Sequence, residues 1–273
     1  MSLVTSRTNL YLSYKRTDEM EKIVKQLQSL AEENDFTIVP SVEDANIIAS
    51  IGGDNAFLQA TRKTGFQQNC LYVGVSTDSL GFYTDFSVQD LKKMIHAMKN
   101  AEVEVRRYPI LEVTVDNEKP FYCLNECSIR SNVIKTFVID VFIDDLHFET
   151  FRGDGMIVST PTGSTAYNMS VNGAVVDPTL PSLQVSEIAS LNNNQYRTLG
   201  TSFLLGPNRT LTLKVVQDGN DHPIIGVDNE ALSIRHAKQL KLRLADESIK
   251  VLKLKNNSFW EKVQRNFLSK PNS

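Results

Sequence analysis

Cysteine is scarce in this chain, with three in 273 residues: Cys70, Cys123 and Cys127. A small odd number excludes a disulfide framework and points to reduced, buried thiols. Cys123 and Cys127 sit close in sequence, but no second Cys or His pair stands near enough to complete a zinc site. Long apolar runs are also missing, and none approaches the ~18 residues of a membrane-spanning helix. The first residues lack the charged-then-apolar pattern of an export signal, and Met1-Ser2-Leu3 carries no weight in the reading. A cytoplasmic protein with no membrane partner is therefore expected. Basic charge is not in excess: 29 Lys and Arg stand against 32 Asp and Glu, a net charge of −3. That leaves no electrostatic footprint for nucleic acid. Internal repeats, low-complexity tracts and Pro- and Ser-rich linkers are absent too. What remains, 41% hydrophobic and 22% charged residues, is the balance of an ordinary globular protein with room for one large or two small domains.

The first hundred residues alternate strands with helices. Leu10-Tyr11-Leu12, Phe36 to Val39, Ile47 to Ile51 and Leu71 to Val75 are short apolar runs read as strands. Between them, Met20, Ile23, Val24, Leu27, Leu30 and Ala31 recur at helical spacing over 18–33, with Asp18 and Glu21 as capping groups. Ala56 to Lys63 reads as a second helix. Ser87 to Asp90 reads as a capping box opening a third, with Val88, Leu91, Met94, Ile95 and Met98 inward. This order predicts an α/β domain with a parallel, Rossmann-like sheet over residues 1–100.

From residue 101 the period changes to two. Val103 and Val105, Leu111 to Val115, Phe137 to Ile143, Leu211 to Val215 and Leu240 to Leu244 alternate apolar with polar residues. Residues 101–255 are accordingly predicted to form a mainly antiparallel β domain, with one short helix over 182–191. Ser258 to Glu261 reads as a capping box. It opens about three turns of helix with Phe259, Val263 and Phe267 on one face, expected to pack over 256–273 on the first domain. His96, His147, His222 and His236 have no readable role.

Two stretches carry candidate chemistry. Gly52-Gly53-Asp54-Asn55 follows a strand and precedes a helix, which is where ligands bind in open parallel sheets. Glycine-turn and helix-terminal N–H groups cradle phosphate there. Asp54 repels phosphate, so it either holds Mg²⁺ at the phosphates, accepts a proton from an attacking hydroxyl, or caps the helix. Residues 151–170 place the run Met156-Ile157-Val158 between Gly153-Asp154-Gly155 and Thr160-Pro161-Thr162-Gly163-Ser164-Thr165-Ala166-Tyr167-Asn168. Small residues, a row of hydroxyls and the Tyr167 ring suit a polyhydroxylated heteroaromatic ligand such as a nucleotide, or else a polar β-turn.

These blocks resemble the NAD kinase family. GDG followed by TPTGSTAYN looks like its signature, and Ile51-Gly52-Gly53-Asp54 resembles its GGDG motif, here GGDN. Leu80-Gly81-Phe82 resembles its LGF segment and Asn125-Glu126 its NE pair, while Val227-Asp228-Asn229-Glu230 resembles a late DGQ loop more loosely. The resemblance implies transfer of the γ-phosphoryl group of ATP, with Mg²⁺, to the adenosine 2′-hydroxyl of NAD, giving NADP. It implies Asp54 as general base and Gly52, Gly53, Asp54 and Asn55 at the ATP phosphates; no residue is assigned to a metal. It further implies dinucleotide contacts from Asp54, Asn55, Phe82, Asn125, Glu126, Arg152, Asp154, Thr162, Thr165, Ala166, Tyr167, Asn168, Met169, Ser170, Ala189 and Glu230. Ala189 matches a segment that reaches a neighbouring subunit, which implies a homo-oligomer, a tetramer.

Read without the resemblance, Asn125-Glu126 is more readily a strand-end polar pair, Arg152 a solvated charge and Phe82 a packing residue. Asn55 stands where glycine is usual, Ala56 where threonine is, and Asn229-Glu230 where Gly-Gln is. Asn tolerates positive φ best among non-glycine residues, so Asn55 is expected to keep the turn at a cost of about 1 kcal/mol. Two alternatives remain open: a non-catalytic dinucleotide-binding or regulatory protein of the same fold, and a kinase for another substrate such as a lipid.

Overall fold

The computed structural model describes residues 7–216, 223–232, 234 and 236–269. Met1-Ser2-Leu3 and His222 lie outside them. The chain divides into two compact units, Met1–Tyr108 with Ser248–Ser273, and Pro109–Glu247.

In the first unit, β1 (Asn9–Tyr14), β2 (Thr37–Ile38), β3 (Ile47–Ile51), β4 (Leu71–Ser76) and β5 (Thr84–Ser87) alternate with α1 (Asp18–Glu32), α2 (Asp54–Lys63) and α3 (Leu91–Lys99). The strands are parallel in the order β2-β1-β3-β4, with β5 along the last residues of β4. Every residue of β3 and β4 is buried, as a parallel sheet covered on both faces requires. α1 turns Val24, Leu27 and Ala31 into the core, and α3 turns in Leu91, Met94, Ile95 and Met98.

The helix starts differ from the sequence reading. Thr17, not Asp18, caps α1, accepting from the Met20 N–H at 3.3 Å. Its extended backbone (φ −142°) suits a cap, whereas Asp18 is already helical and its charge complements the helix dipole from the first turn. The Ser87–Asp90 box does not form. A 3₁₀ turn over Val88–Asp90 tightens the chain, so Ser87 caps that turn and Asp90 caps α3 by accepting from the Lys93 N–H.

The second unit is built of antiparallel pairs. Its strands are β6 (Val103–Val115), entering from the first unit, β7 (Phe121–Cys123), β8 (Glu126–Arg130), β9 (Phe137–Ile143), β10 (Leu146–Gly153), β11 (Gly155–Ser159), β12 (Leu183–Ile188), β13 (Phe203–Leu205), β14 (Leu211–Val215), β15 (Ile224–Val227), β16 (Glu230–Leu232) and β17 (Gln239–Leu254). One sheet runs β10-β9-β14-β17, with β6 and β7 beyond; the other runs β13-β12-β11-β8-β15-β16. Phe137, Ile139 and Val141 of β9 share one core with Cys127 and Ile129 of β8 and with Met156 and Val158 of β11. Alternation therefore turns Glu126, Ser128, Ser159, Gln184 and Ser186 to the opposite face of the second sheet.

The helix expected over 182–191 is the strand β12. Leu183 and Val185 are buried, and β11 and β13 supply hydrogen-bonding partners on both sides. The expected domain boundaries, 100/101 and 255/256, compare with divisions at 108/109 and 247/248, which fall inside β6 and β17. The last residues of β17 pair in parallel with the start of β4, through Lys250–Leu71 and Val251–Tyr72. The chain then enters α4 (Phe259–Val263) through the Ser258–Glu261 capping box. α4 gives way to a π turn over Gln264–Leu268 instead of continuing for three α-helical turns.

Candidate active site

The residues singled out by sequence fall into two groups, one in each unit. The first is centred on the β3–α2 turn. Gly52 and Gly53 take φ of 132° and 85°, backbone that L side chains rarely adopt. Both of their N–H groups donate to the Val75 carbonyl, at 3.0 and 3.3 Å. The glycines thus shape the turn, and a phosphate there would meet the first-turn N–H groups of α2 instead.

Asp54 is the first residue of α2, and Gly53 is the cap. The Asp54 carboxylate does not cap its own helix. Oδ2 accepts from the Phe82 N–H at 2.7 Å, and Oδ1 accepts from the Tyr83 N–H at 2.9 Å. Two long-range donors fix both oxygens, which orients the group more firmly than a local cap. Asn55 lies inside α2, and positive φ falls on Gly52 and Gly53 instead. The expected strain at Asn55 is therefore absent, and its exposed side chain leaves the turn unchanged.

The segment 80–85 is the partner of Asp54. Gly81 donates to Thr84 Oγ1 at 2.7 Å. The Tyr83 ring stacks on Phe57 of α2, centroids 4.9 Å apart. Phe82 packs on Phe259 and Phe267, at 5.8 and 5.9 Å, so its ring has a packing role within this unit.

The second group lines the outer face of the β8-β11-β12 sheet. Asn125 and Glu126 are buried, 9% and 6% exposed. Their backbone is held by Asp228, whose carboxylate accepts from the N–H groups of Leu124 and Asn125 at 2.7–3.1 Å. Thr160 and Thr162 both donate to the Leu124 carbonyl. Asn168 accepts from Ser186 Oγ at 2.7 Å, and Ser170 donates to the Tyr167 carbonyl. Thr165 donates to the Thr162 carbonyl at 3.5 Å, and the Tyr167 hydroxyl accepts from Arg130 at 3.3 Å. These bonds hold the stretch in two 3₁₀ turns, Thr162–Thr165 and Tyr167–Val171, with Thr165, Ala166, Tyr167 and Met169 partly exposed.

Other predicted residues lie apart from that face. Arg152, on β10, places its guanidinium 4.3 Å from the Tyr196 ring centroid. Asp154 and Ala189 are exposed and border a cavity of about 590 Å³ with Arg130, Ser131, Ile134 and Lys135. Ala189 has a φ of 47°, uncommon for alanine. Glu230 is exposed on β16. Among the described residues, no cluster of three or more His, Cys, Asp or Glu could hold a metal ion.

Glu126 is the most perturbed carboxyl of the second group. Burial, and then the Asp228 charge, push it up to about 8, against a hydrogen bond from the Tyr167 backbone. Its Oε2 and the Ser159 hydroxyl, on residues paired across β8 and β11, are buried without partners. The same burial and acids push the Cys127 thiol up, leaving it inert.

A raised carboxyl pKa carries stability that is complete below the ordinary value of 4.5 and is lost as pH rises through about 8. Within that window the unfolded chain releases the proton first, and the native state weakens by about 1.4 kcal/mol per pH unit. Denaturant titrations at pH 5 and pH 9 are expected to show a larger loss for the unligated wild type than for Glu126→Gln. Equal losses would remove this assignment.

Sequence reasoning gave Asp228 no role of its own and missed Arg130 and the buried trio Asp85, Lys253 and Lys262. Asp228 carried a signal, since it lies in the late loop and takes φ 50°, a conformation Asp tolerates. The two lysines carried none, because a lysine on an amphipathic helix or a β-strand reads as solvated.

Comparison with known proteins gives a consistent set of relatives. The ATP-NAD kinase C-terminal domain family matches residues 124–254. The chain is 70% identical to NAD kinase 2 of Halalkalibacterium halodurans over 262 residues, 96% of this chain and 99% of that one. It is 61% identical to NAD kinase 2 of Bacillus subtilis over 267 residues, 97% and 100% of the two chains. Among solved structures it is similar to yeast NADH kinase complexed with NADH, with a TM-score of 0.79, 19% identity and coverage of 97% and 89%. It is also similar to an NAD kinase from Archaeoglobus fulgidus in complex with ATP, with a TM-score of 0.75, 21% identity and coverage of 93% and 96%. At these identities the two structures speak for the fold alone.

Proposed function

We infer the chemistry from one premise: this chain belongs to the NAD kinase family. It is an enzyme that phosphorylates NAD, with ATP as donor. In the reaction proposed, the adenosine 2′-oxygen of NAD forms a bond to the γ-phosphorus of ATP as the bond from that phosphorus to the β–γ bridging oxygen breaks. The products are NADP and ADP. A sugar hydroxyl is a poor nucleophile, and Asp54 aligns it and receives its proton.

The observation that carries this reading is the Asp54 carboxylate, fixed through both oxygens just past the end of β3. Gly52 and Gly53 set the turn, and the first turn of α2 offers N–H groups to phosphate. On the acceptor side, the unpartnered Glu126 Oε2 meets a ribose hydroxyl, Asn125 meets the adenine edge, and the Thr162–Ser170 turns cover the dinucleotide.

Magnesium is proposed to enter together with ATP. When bound it would neutralise charge on the phosphoryl group being transferred. A homotetramer, with the Ala189 segment at a subunit contact, is part of the proposal and is read by light scattering. So is a cytoplasmic location, supported by three buried cysteine thiols. No described helix is long and apolar enough to cross a membrane.

The test is a coupled assay with an NADP-specific dehydrogenase, using NAD and ATP-Mg²⁺. Steady NADP formation is expected. Tight NAD binding with no turnover above an Asp54→Ala control would instead select the non-catalytic reading, and turnover of a lipid alone would select the other kinase.

A further inference from the structure

We propose that Lys262 and Lys253 are positioning residues for phosphoryl transfer, holding the Asp54 carboxylate in place through the single peptide group that joins Phe82 to Tyr83. The proposal rests on the reading of Asp54 as the general base. That peptide group has two ends. Its N–H, on Tyr83, donates to Asp54 Oδ1 at 2.9 Å. Its carbonyl, on Phe82, accepts from Lys253 Nζ at 2.9 Å and from Lys262 Nζ at 3.0 Å. In a trans peptide the two ends point in opposite directions. The carboxylate and the two ammonium groups thus grip one rigid plane from opposite sides. Cations on the carbonyl oxygen also polarise the amide and strengthen its N–H as a donor.

The surroundings argue against a filler role. Asp85, Lys253 and Lys262 are buried, with side chains 0–2% exposed. Lys253 approaches Asp85 Oδ1 at 3.2 Å, Lys262 bonds to the same oxygen, and the Leu254 N–H donates to Oδ2 at 2.8 Å. Lys262 also donates to the Thr84 carbonyl at 3.2 Å. One carboxylate cannot balance two ammonium groups. Burial raises Asp85, but the two lysines more than offset this and hold it below the usual carboxyl range. Burial and then Lys253 pull Lys262 below an ordinary lysine, against Asp85 and Tyr108. Such a cluster is a poor way to gain stability, because well-packed apolar residues commonly do as well or better. What it does provide is two aimed donors on one carbonyl.

The rest of the C-terminal segment grips the same loop. Arg265 donates to the Leu80 carbonyl at 3.2 Å, and Phe259 and Phe267 flank the Phe82 ring. The C-terminal helix is therefore tied to the proposed base through residues 80–85, although it contributes no group to the reaction.

The experiment uses full-length Lys262→Met and Lys253→Met, which keep the stems and remove the charges. Leu27→Ala, a core change in α1 that touches none of these groups, calibrates the effect of lost stability alone. The expected result is a fall in kcat of about tenfold or more, with KM for NAD and ATP within about twofold. Amide exchange at Tyr83 in the substrate-free protein should also accelerate. Lys262→Ala should regain kcat with ethylammonium and not with ethanol. Unchanged kcat per folded molecule, a loss no greater than that of Leu27→Ala, or equal rescue by ethanol would overturn the proposal. If Lys262→Met does not fold, Lys253→Met decides, since it removes one of the two donors and leaves the other. A wild type without NADP formation would sink the reading of Asp54, while the exchange measurement would still decide whether the lysines hold the peptide.

Discussion

Replacing Asp54 by asparagine or alanine is expected to lower kcat for NADP formation by ~10²–10⁴-fold, the usual contribution of a positioned general base. The KM values should move far less, because the proton acceptor acts in the transition state and not in holding the ground state. The two variants separate alignment from charge. Asparagine keeps the shape but turns an NH₂ group towards the N–H of Phe82 or Tyr83, where the carboxylate accepted both. Alanine leaves those two donors to water and removes the clash. Similar kcat values for the two would place the loss in the missing proton acceptor. Full activity in alanine would end the assignment. Thermal melts of both proteins check that the loss is chemical, because Asp54 is only partly buried and its removal should not unfold the unit.

Gly81→Ala is the second large effect. A Cβ built on Gly81 would stand 2.4 Å from the Asp54 carboxyl carbon and from both of its oxygens. Gly81 is not among the glycines with positive φ, so alanine brings no backbone strain there. The consequence is steric and falls on one group: the carboxylate must leave the Phe82 and Tyr83 N–H groups. A displacement of about 1 Å costs on the order of 10²-fold in rate. The expected outcome is a kcat loss of that size with a small change in melting temperature. Gly206→Ala, where nothing lies within 4 Å of the added carbon, is the control and should be near neutral. Comparable losses in both variants would mean that alanine acts through general destabilisation. A normal kcat in Gly81→Ala would mean that the Asp54 position matters little to the reaction.

Local pattern was sufficient for much of this protein. The stripes of α1 and α3, the largely apolar runs of β3 and β4 and the period-two alternation of β9 and β14 all read directly from the residues. So did the change from a parallel α/β sheet to antiparallel pairs, and the two stretches that carry the candidate chemistry. These features depend on neighbours within a turn or a strand, and a sequence holds that information at short range.

The tertiary structure decided everything that needed a partner from far along the chain. Leu183–Ile188, inside the stretch expected to be helical, became β12 because strands β11 and β13 were there to take up its backbone, where a short apolar run is ambiguous by itself. Asp54 turned from its own helix to N–H groups 28 and 29 residues away. Glu126 acquired its raised pKa from burial and from Asp228, which also holds the neighbouring backbone across more than a hundred residues. Lys253 and Lys262 were buried because Asp85 and the carbonyls of Phe82 and Thr84 met them. A charge is tolerated in the interior only where its partners converge, and convergence is a property of the folded chain.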